Sequence, residues 1–355
     1  MKFKFNSEVS KMFDYLLFPR LYYSLETTKE YIDDQLIKVM KEEYIDFFKQ
    51  MHSTLKPYKE AIEKFYHKDI YSNYDFLSIL LSAYPIFSYQ DIKDYFSDLL
   101  TIKPNEFKQN IMQAILTIGE NTKDNKVVVN ETIMTEYINN LKLSSENKWH
   151  LFMITKDPVH QLKQFIELLN QIEPIFLLNY QKYSSSVQSI GKDLVYRLSN
   201  DKTKTLQEIT QNAITFDFNQ KDVCEFYVSF TMPYTVRLIN SNIYRIIWGM
   251  DMEDAFIKMK ELNEDKLIQR VKIFKALGDK TRYETLKLIA NGVHSIKKIA
   301  DQLDVSSATI SYHINEFLTS GILFMNRKKE PRYHYQIDYQ KLNEVLESLK
   351  EDLNC

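Results

Sequence analysis

Between positions 306 and 332 the chain sets small hydroxyl side chains and cations where they could engage a nucleic acid. Ser306, Ser307, Ala308, Thr309, Ser311, Tyr312 and His313 fall in one short stretch, and Arg327, Lys328, Lys329 and Arg332 follow it. Hydroxyl, phenol and imidazole groups can exchange hydrogen bonds with base edges, and small residues let a helix sit deep in a major groove. Free N–H groups at a helix start, beside Ser307, favour a phosphate. Guanidinium and ammonium groups neutralise backbone phosphate, which supplies affinity but little sequence information. The implied chemistry is recognition of double-stranded DNA.

Those side chains need elements to hold them, and the flanking punctuation supplies candidates. Asp279 can cap a helix beginning at Lys280-Thr281-Arg282, with Tyr283, Leu286 and Ile289/Ala290 as its apolar face. Asn291-Gly292 ends that helix, because glycine adopts the left-handed conformation without strain. Ser295 starts a short helix with Ile296, Ile299, Ala300 and Leu303 inward. Asp304-Val305-Ser306 reads as a tight turn. A second helix is expected from Ser307 to Ser320, with Ile310, Ile314, Phe317 and Leu318 inward and 307–309 and 311–313 outward. Gly321 closes it. An apolar run (Ile322 to Met325), a basic tip (Asn326 to Arg332) and alternating Tyr333, Tyr335 and Ile337 then read as two strands forming a wing. Two short helices with a tight turn, the second carrying the polar face, is the arrangement that enters a major groove.

Charge agrees with this reading. Leu267 to Val345 holds 13 lysines and arginines against 8 aspartates and glutamates, a surplus of +5, and the rest of the chain holds 33 against 40, or −7. The overall net charge of −2 hides a basic module on an acidic partner.

Four blocks in order resemble the ArsR family of bacterial repressors: Phe274 to Arg282 (FKALGDKTR), Ile299 to Leu303 (IADQL), Ser307 to Ile314 (SATISYHI) and Ser320 to Leu323 (SGIL). The resemblance covers roughly a fifth of the chain. It implies a winged helix-turn-helix acting as a homodimer on a palindromic operator, with DNA binding set by a ligand or cofactor. The chain departs from the family in having Tyr312-His313 where His-His is frequent, and Asn315 where a basic residue is frequent. Lys329-Glu330-Pro331 replaces the usual glycine at the wing tip. Relatives that sense metals use cysteine pairs in the first helix of the motif, or Asp-His and His-Glu sets on the last helix. Val293 to Leu303 has no cysteine and Asp338 to Val345 no histidine. Thiolate and imidazole are what such metals require, so no metal and no cofactor is expected.

Upstream, the reading is a long helical body. Few glycines and prolines argue for helices. Phe3 and Phe5 alternate as a short strand ahead of a helix over Val9 to Leu17. Helices are expected over about Thr28 to Met51, from Pro57, Tyr74 to Ala83, Tyr89 to Leu100, Asn105 to Gly119 and Glu131 to Leu143. Further ones fall at Glu146 to Met153, Val159 to Leu169 and Ile172 to Tyr196. Asn121 to Asn125 reads as a polar linker. Asp222 to Phe230 and Asn242 to Trp248 have strand character, and Met252 to Ile273 reads as a connector helix. The fold class is therefore mainly α, a helical N-terminal domain with a small strand pair and a C-terminal winged helix-turn-helix. The expected units are 1–215, 216–250, 251–272 and 273–345.

Other chemistry finds little support. Cys224 and Cys355 cannot make a disulfide framework and suit a reducing cytosol. The start has no signal-peptide pattern and no run is long and apolar enough to span a membrane, so a cytoplasmic location is expected. There is no glycine-rich phosphate loop and no nucleophile elbow, and His52, His67, His150 and His160 lack ligand spacing, so the chain does not read as an enzyme. Cys224 reads as a small buried hydrophobe. The 24 tyrosines and 22 phenylalanines read first as core. Their sharper use is an effector pocket, with Tyr84, Phe87, Tyr89, Tyr180, Tyr227 and Trp248 as candidate linings. The expected function is a homodimeric DNA-binding regulator, repressor-like, modulated by a small-molecule or protein effector on the N-terminal body. The alternative is a winged-helix interaction adaptor without specific DNA binding.

Overall fold

The computed structural model describes residues 1–23, 34–67, 74–120, 129–214, 216, 221–240, 242–263, 266–326 and 334–353. Strand β1 (Lys2–Phe5) and helix α1 (Ser7–Leu17) come first, then a 3-10 turn at Phe18–Tyr22. Helices α2 (Asp34–Val39), α3 (Glu42–Leu55), α4 (Lys59–Tyr66), α5 (Phe76–Ala83), α6 (Ile92–Thr101) and α7 (Pro104–Glu120) follow. They continue as α8 (Glu131–Asn140), α9 (Ser145–Lys156), α10 (Pro158–Asn200) and α11 (Lys202–Thr210). Strands β2 (Val223–Ser229), β3 (Val236–Asn240) and β4 (Tyr244–Gly249) lead to α12 (Met252–Asn263) and α13 (Lys266–Leu277). The C-terminal module is α14 (Lys280–Ala290), α15 (Ile296–Leu303), α16 (Ser307–Ser320), the hairpin β5 (Leu323–Asn326) and β6 (His334–Ile337), and α17 (Tyr339–Asp352). The class is mainly α with a winged helix at the C-terminal end.

The strands at 223–249 belong to a four-stranded sheet ordered β1-β2-β4-β3. β1, β2 and β4 run parallel, with Phe3 opposite Cys224 and Phe226 opposite Ile246. β3 runs antiparallel to β4, with Arg237 opposite Ile247, and forms an edge. Phe226, Tyr227 and Val228 in β2 and Ile246, Ile247 and Trp248 in β4 are all buried. Consecutive burial marks strands covered on both faces, which is why these segments read as apolar runs and not as clean alternation. Cys224 is fully buried, and desolvation, with Glu225 adding to it, pushes its thiol up to about 12. It packs as a small hydrophobe.

Three helices differ from the periodicity reading. The helix expected over Thr28 to Met51 is interrupted between α2 and α3 at Met40 and Lys41, and its start lies outside the described residues. Lys41 is held there by Asp251, 2.5 Å from its Nζ, and its backbone N–H donates to the Tyr234 hydroxyl at 2.8 Å. The helices expected to part near Gln171 are one, α10, with Pro174 inside it. The connector expected over Met252 to Ile273 is two helices, α12 and α13. The expected linker at Asn121 to Asn125 lies outside the described residues.

Two hydrophobic cores result. One is continuous from Phe3 to Phe256 and joins the sheet to the helices. The other runs from Ile273 to Val345. The aromatic side chains mostly serve the first. Phe176 and Tyr183 both meet the Phe230 ring, with centroids at 6.2 and 5.1 Å. Of the candidate pocket residues, Tyr84 stacks on Phe107, Tyr89 meets Tyr95 edge-on, Tyr180 packs on Phe176, and Trp248 is buried beside Phe256. Phe87 borders a cavity, and Tyr227 stacks on its ring. Among the described residues no helix is long and apolar enough to cross a membrane.

Candidate nucleic-acid interface

Each helix of the C-terminal module starts on a side-chain cap. The Asp279 carboxylate accepts from the Arg282 N–H at 2.8 Å, and that bond, chiefly, holds its pKa below the ordinary value. Ser295 caps α15 through the Lys298 N–H at 3.4 Å. Ser306 caps α16 through the Thr309 N–H at 3.0 Å, and its oxygen also lies 2.8 Å from the Thr309 hydroxyl. Such caps satisfy donors that the first turn leaves free. The turn between α15 and α16 is made by Asp304 in the left-handed conformation, φ 52°. Aspartate tolerates this better than most residues because its short side chain bonds locally. Gly321 ends α16 at φ 74°.

The 3.6-residue period then decides which side chains of α16 face out. Ile310, Ile314 and Phe317 enter the core. Ser306 is exposed, Ser307, Ala308, Thr309 and Ser311 are half-buried, and Tyr312 is 39 % exposed. The Ser311 hydroxyl donates back to the Ser307 carbonyl at 2.9 Å. His313 departs from the expectation of an outward base reader: it is 7 % exposed and belongs to the inner stripe, three residues after Ile310. Neither ring nitrogen has a hydrogen-bond partner. Desolvation lowers its pKa, Asp279 opposes that shift and Arg282 adds to it. Tyr283, expected inward on α14, is 50 % exposed, while Thr285 takes the buried place beside Leu286.

Asn315 is exposed one turn beyond Tyr312 and extends the same outward face. Its spacing from Ser311 was the available signal. Arg282 is the other residue whose role needed the structure. Its guanidinium lies 3.3 Å from Glu316 on α16 and 3.8 Å from Asp279, bracing α14 against α16.

β5 and β6 pair in antiparallel register, Leu323 opposite Ile337 and Asn326 opposite His334. The hairpin is anchored where the Asp338 N–H donates to the Ile322 carbonyl at 2.8 Å. Arg327, Lys328, Lys329 and Arg332, the expected phosphate contacts, lie outside the described residues, as does Tyr333. Among the described residues no group of three or more His, Cys, Asp or Glu side chains could hold a metal ion.

Residues 279–323 match the model of the bacterial regulatory protein arsR family. An uncharacterized HTH-type transcriptional regulator of Methanocaldococcus jannaschii is 34 % identical over 88 residues, 24 % of this chain and 98 % of that protein. No solved structure matches the chain.

Proposed function

The chain belongs to the arsR family of bacterial regulatory proteins, a DNA-binding transcriptional regulator by its C-terminal module, and from there we propose that it binds a palindromic operator as a homodimer under control of an effector on its N-terminal body. The observation that carries this is the outward face of α16, capped by Ser306 and bearing Ser307, Thr309, Ser311, Tyr312 and Asn315. In this reading Thr309, Ser311, Tyr312 and Asn315 meet base edges. Ser306, Ser307 and Ala308 bring the helix start against a phosphate, and Arg327, Lys328, Lys329 and Arg332 hold the backbone. His313 is left out, because a buried ring reaches no base. The DNA-binding unit is 273–345.

The dimer reading draws on α13 and α17. Ile268 and Val271 on α13 and Leu346 and Leu353 at α17 are exposed apolar residues. Arg270 ties the two helices together, 2.6 Å from Asp352. A paired apolar surface of this kind suits a second copy of the chain. Two recognition helices would then meet half-sites about 34 Å apart, one DNA turn. An effector that favours another spacing weakens binding by population shift.

The test is selection of bound sequences from randomised duplex DNA at two salt concentrations, with the full-length protein. An enriched palindrome with half-sites one turn apart is the expected result. Binding that stays blind to sequence, with the protein monomeric in solution, overturns it.

A further inference from the structure

A cavity of about 250 Å³ lies in the N-terminal body, between the β3 edge of the sheet, the end of α1 and α5. Arg237 and Ile239 alternate onto it from β3, and Ile247, opposite Arg237 in the register, shares that face. Phe13 and Leu17 of α1 and Leu81 and Phe87 form apolar walls. No acidic side chain lines it among the described residues.

Among the described residues two guanidiniums border this space, and one of them is paired. Arg20 lies 2.6 Å from Asp75 and donates to the Ser78 hydroxyl at 3.1 Å. The other Asp75 oxygen accepts from the Ser78 N–H at 2.8 Å and hydroxyl at 2.6 Å. That carboxylate is fully engaged and sits behind Arg20. Arg237 has no hydrogen bond or ion pair among the described residues. Arg237 is an exposed residue whose side chain borders the cavity; desolvation by the neighbouring protein is the main cause that lowers its pKa, Arg20 adds to it, and Tyr74 and Asp75 oppose it. An arginine does not discharge in a protein, so this guanidinium stays charged beside the apolar cavity, met by water and not by a carboxylate of the described residues.

We infer that this cavity is a binding site for a compact monocarboxylate with an apolar body, its carboxylate on Arg237 and its hydrocarbon against Phe13, Leu17 and Phe87. Among the described residues, two cations and one carboxylate leave a single net positive charge, which one anionic charge neutralises. The planar fork of arginine matches a carboxylate in bidentate fashion. A phosphate monoester would bring a second charge that no further cation lining the cavity among the described residues answers. The Ser82 and Thr235 hydroxyls at the rim can orient the head group. The assignment rests on the reading of the N-terminal body as the effector-receiving part, and names the effector's chemistry.

The experiment uses full-length protein and calorimetric titration with phenylacetate, octanoate, the matching amides, octyl phosphate and inorganic phosphate. Arg237→Met keeps the length of the side chain, removes the charge and leaves Arg20–Asp75 intact. The expected result is saturable binding of one of the carboxylates, weakened roughly tenfold or more both in its amide and in Arg237→Met, the scale of a lost charge-assisted hydrogen bond. Absence of carboxylate binding to the wild type, equal binding to Arg237→Met, or tighter binding of either phosphate overturns the assignment. DNA binding of the same preparation is measured alongside. Operator binding without carboxylate binding sinks the site and leaves the regulator standing. Arg237-dependent carboxylate binding that leaves DNA affinity unchanged keeps the site and removes its role as effector site.

Discussion

The Ser229 hydroxyl donates to Asp14 Oδ1 at 2.5 Å, joining α1 to the end of β2 across 215 positions of chain. The same carboxylate accepts from the Phe230 N–H and the Thr231 N–H, each at 3.1 Å. Ser10, one turn earlier on α1, accepts from the Val228 N–H at 3.0 Å. Where β2 runs out of strand partners, α1 supplies the missing acceptors. A buried N–H left unpaired would cost about 1–3 kcal/mol, so this helix completes the sheet with hydrogen bonds as well as packing.

Asp14→Ala therefore leaves two backbone donors and the Ser229 hydroxyl without their acceptor. The expected loss is about 2–4 kcal/mol, summed from unsatisfied groups at the lower end of their range. Chemical denaturation of the full chain, followed by a probe of the N-terminal body, reads it. A loss under 0.5 kcal/mol, on the scale of an ordinary surface substitution, would contradict the role given to Asp14.

The same residue sets a pH dependence. Desolvation raises the Asp14 pKa from 3.8 to about 7, outweighing the hydrogen bonds from Ser229, Phe230 and Thr231 that lower it. The folded state thus keeps a proton that the unfolded chain releases. Asp14's contribution is fully present below pH 3.8 and is lost as pH rises through about 7. Subtracting the pH–stability curve of Asp14→Asn from that of the wild type should show a contribution that declines over this window. A flat or rising difference would count against it.

His313 carries the opposite sign. Its pKa is lowered from 6.5, mainly by desolvation, so the folded module favours the neutral ring. Stability is fully present above about pH 6.5 and is lost as pH falls through the depressed value. Asp279 and Arg282 are the charged groups facing it. Because both ring nitrogens are unpaired, His313→Phe should be neutral or stabilising and should flatten the acid limb of the module's unfolding curve. A loss above about 2 kcal/mol, the scale of a core disruption, would mean the ring makes a bond that its surroundings do not suggest.

How much of this was legible follows from the range of each interaction. Asp279, Ser295 and Gly321 were readable as helix ends because a cap involves residues only two or three positions apart, whereas Ser306 reads as part of a turn and proves to cap α16. His313 was misplaced by one step of helical phase, since the inner stripe at 310, 314 and 317 also covers 313. Pro174 lies inside α10 without ending it. Pro174 and Asn170 are both exposed, so the carbonyl that loses its partner meets water. Phe3 and Phe5 showed strand alternation, but β2, their partner, lies some 220 positions on, and nothing local specifies a parallel neighbour so distant. Arg237 gave no signal at all. Its meaning depends on Asp75 being committed to Arg20.

Gly249 tests the packing of the sheet end. A Cβ there would collide with the Pro233 backbone carbonyl, whereas at Gly191 on α10 it would meet the Phe5 ring. Backbone cannot turn aside and a ring can. Gly249→Ala should therefore destabilise by about 1–3 kcal/mol or more, the cost of overpacking, and exceed Gly191→Ala measured in parallel. The reverse order would argue that the Met232–Pro233 turn yields easily.

On α16 two substitutions should separate positioning from reading. Ser306→Ala removes the cap and should cost the module about 1 kcal/mol, weakening binding to all DNA sequences alike. Tyr312→Ala should leave stability nearly unchanged and alter the preferred bases in the selected pool. Uniform loss with an unchanged consensus would make Tyr312 a positioning residue.

The wing makes the last claim, and it is electrostatic. If Arg327 neutralises one phosphate, Arg327→Ala should weaken specific and non-specific binding together. It should also reduce the slope of log K against log salt by about one unit. Titrations at several salt concentrations give that slope directly, on both a selected site and a scrambled duplex. Because counterion release does not depend on which bases are nearby, the change must be equal on the two DNAs. A slope that does not move removes Arg327 from the interface. A slope that moves only on the selected site assigns it a place in the specific complex alone, against the sequence-blind role argued for the wing.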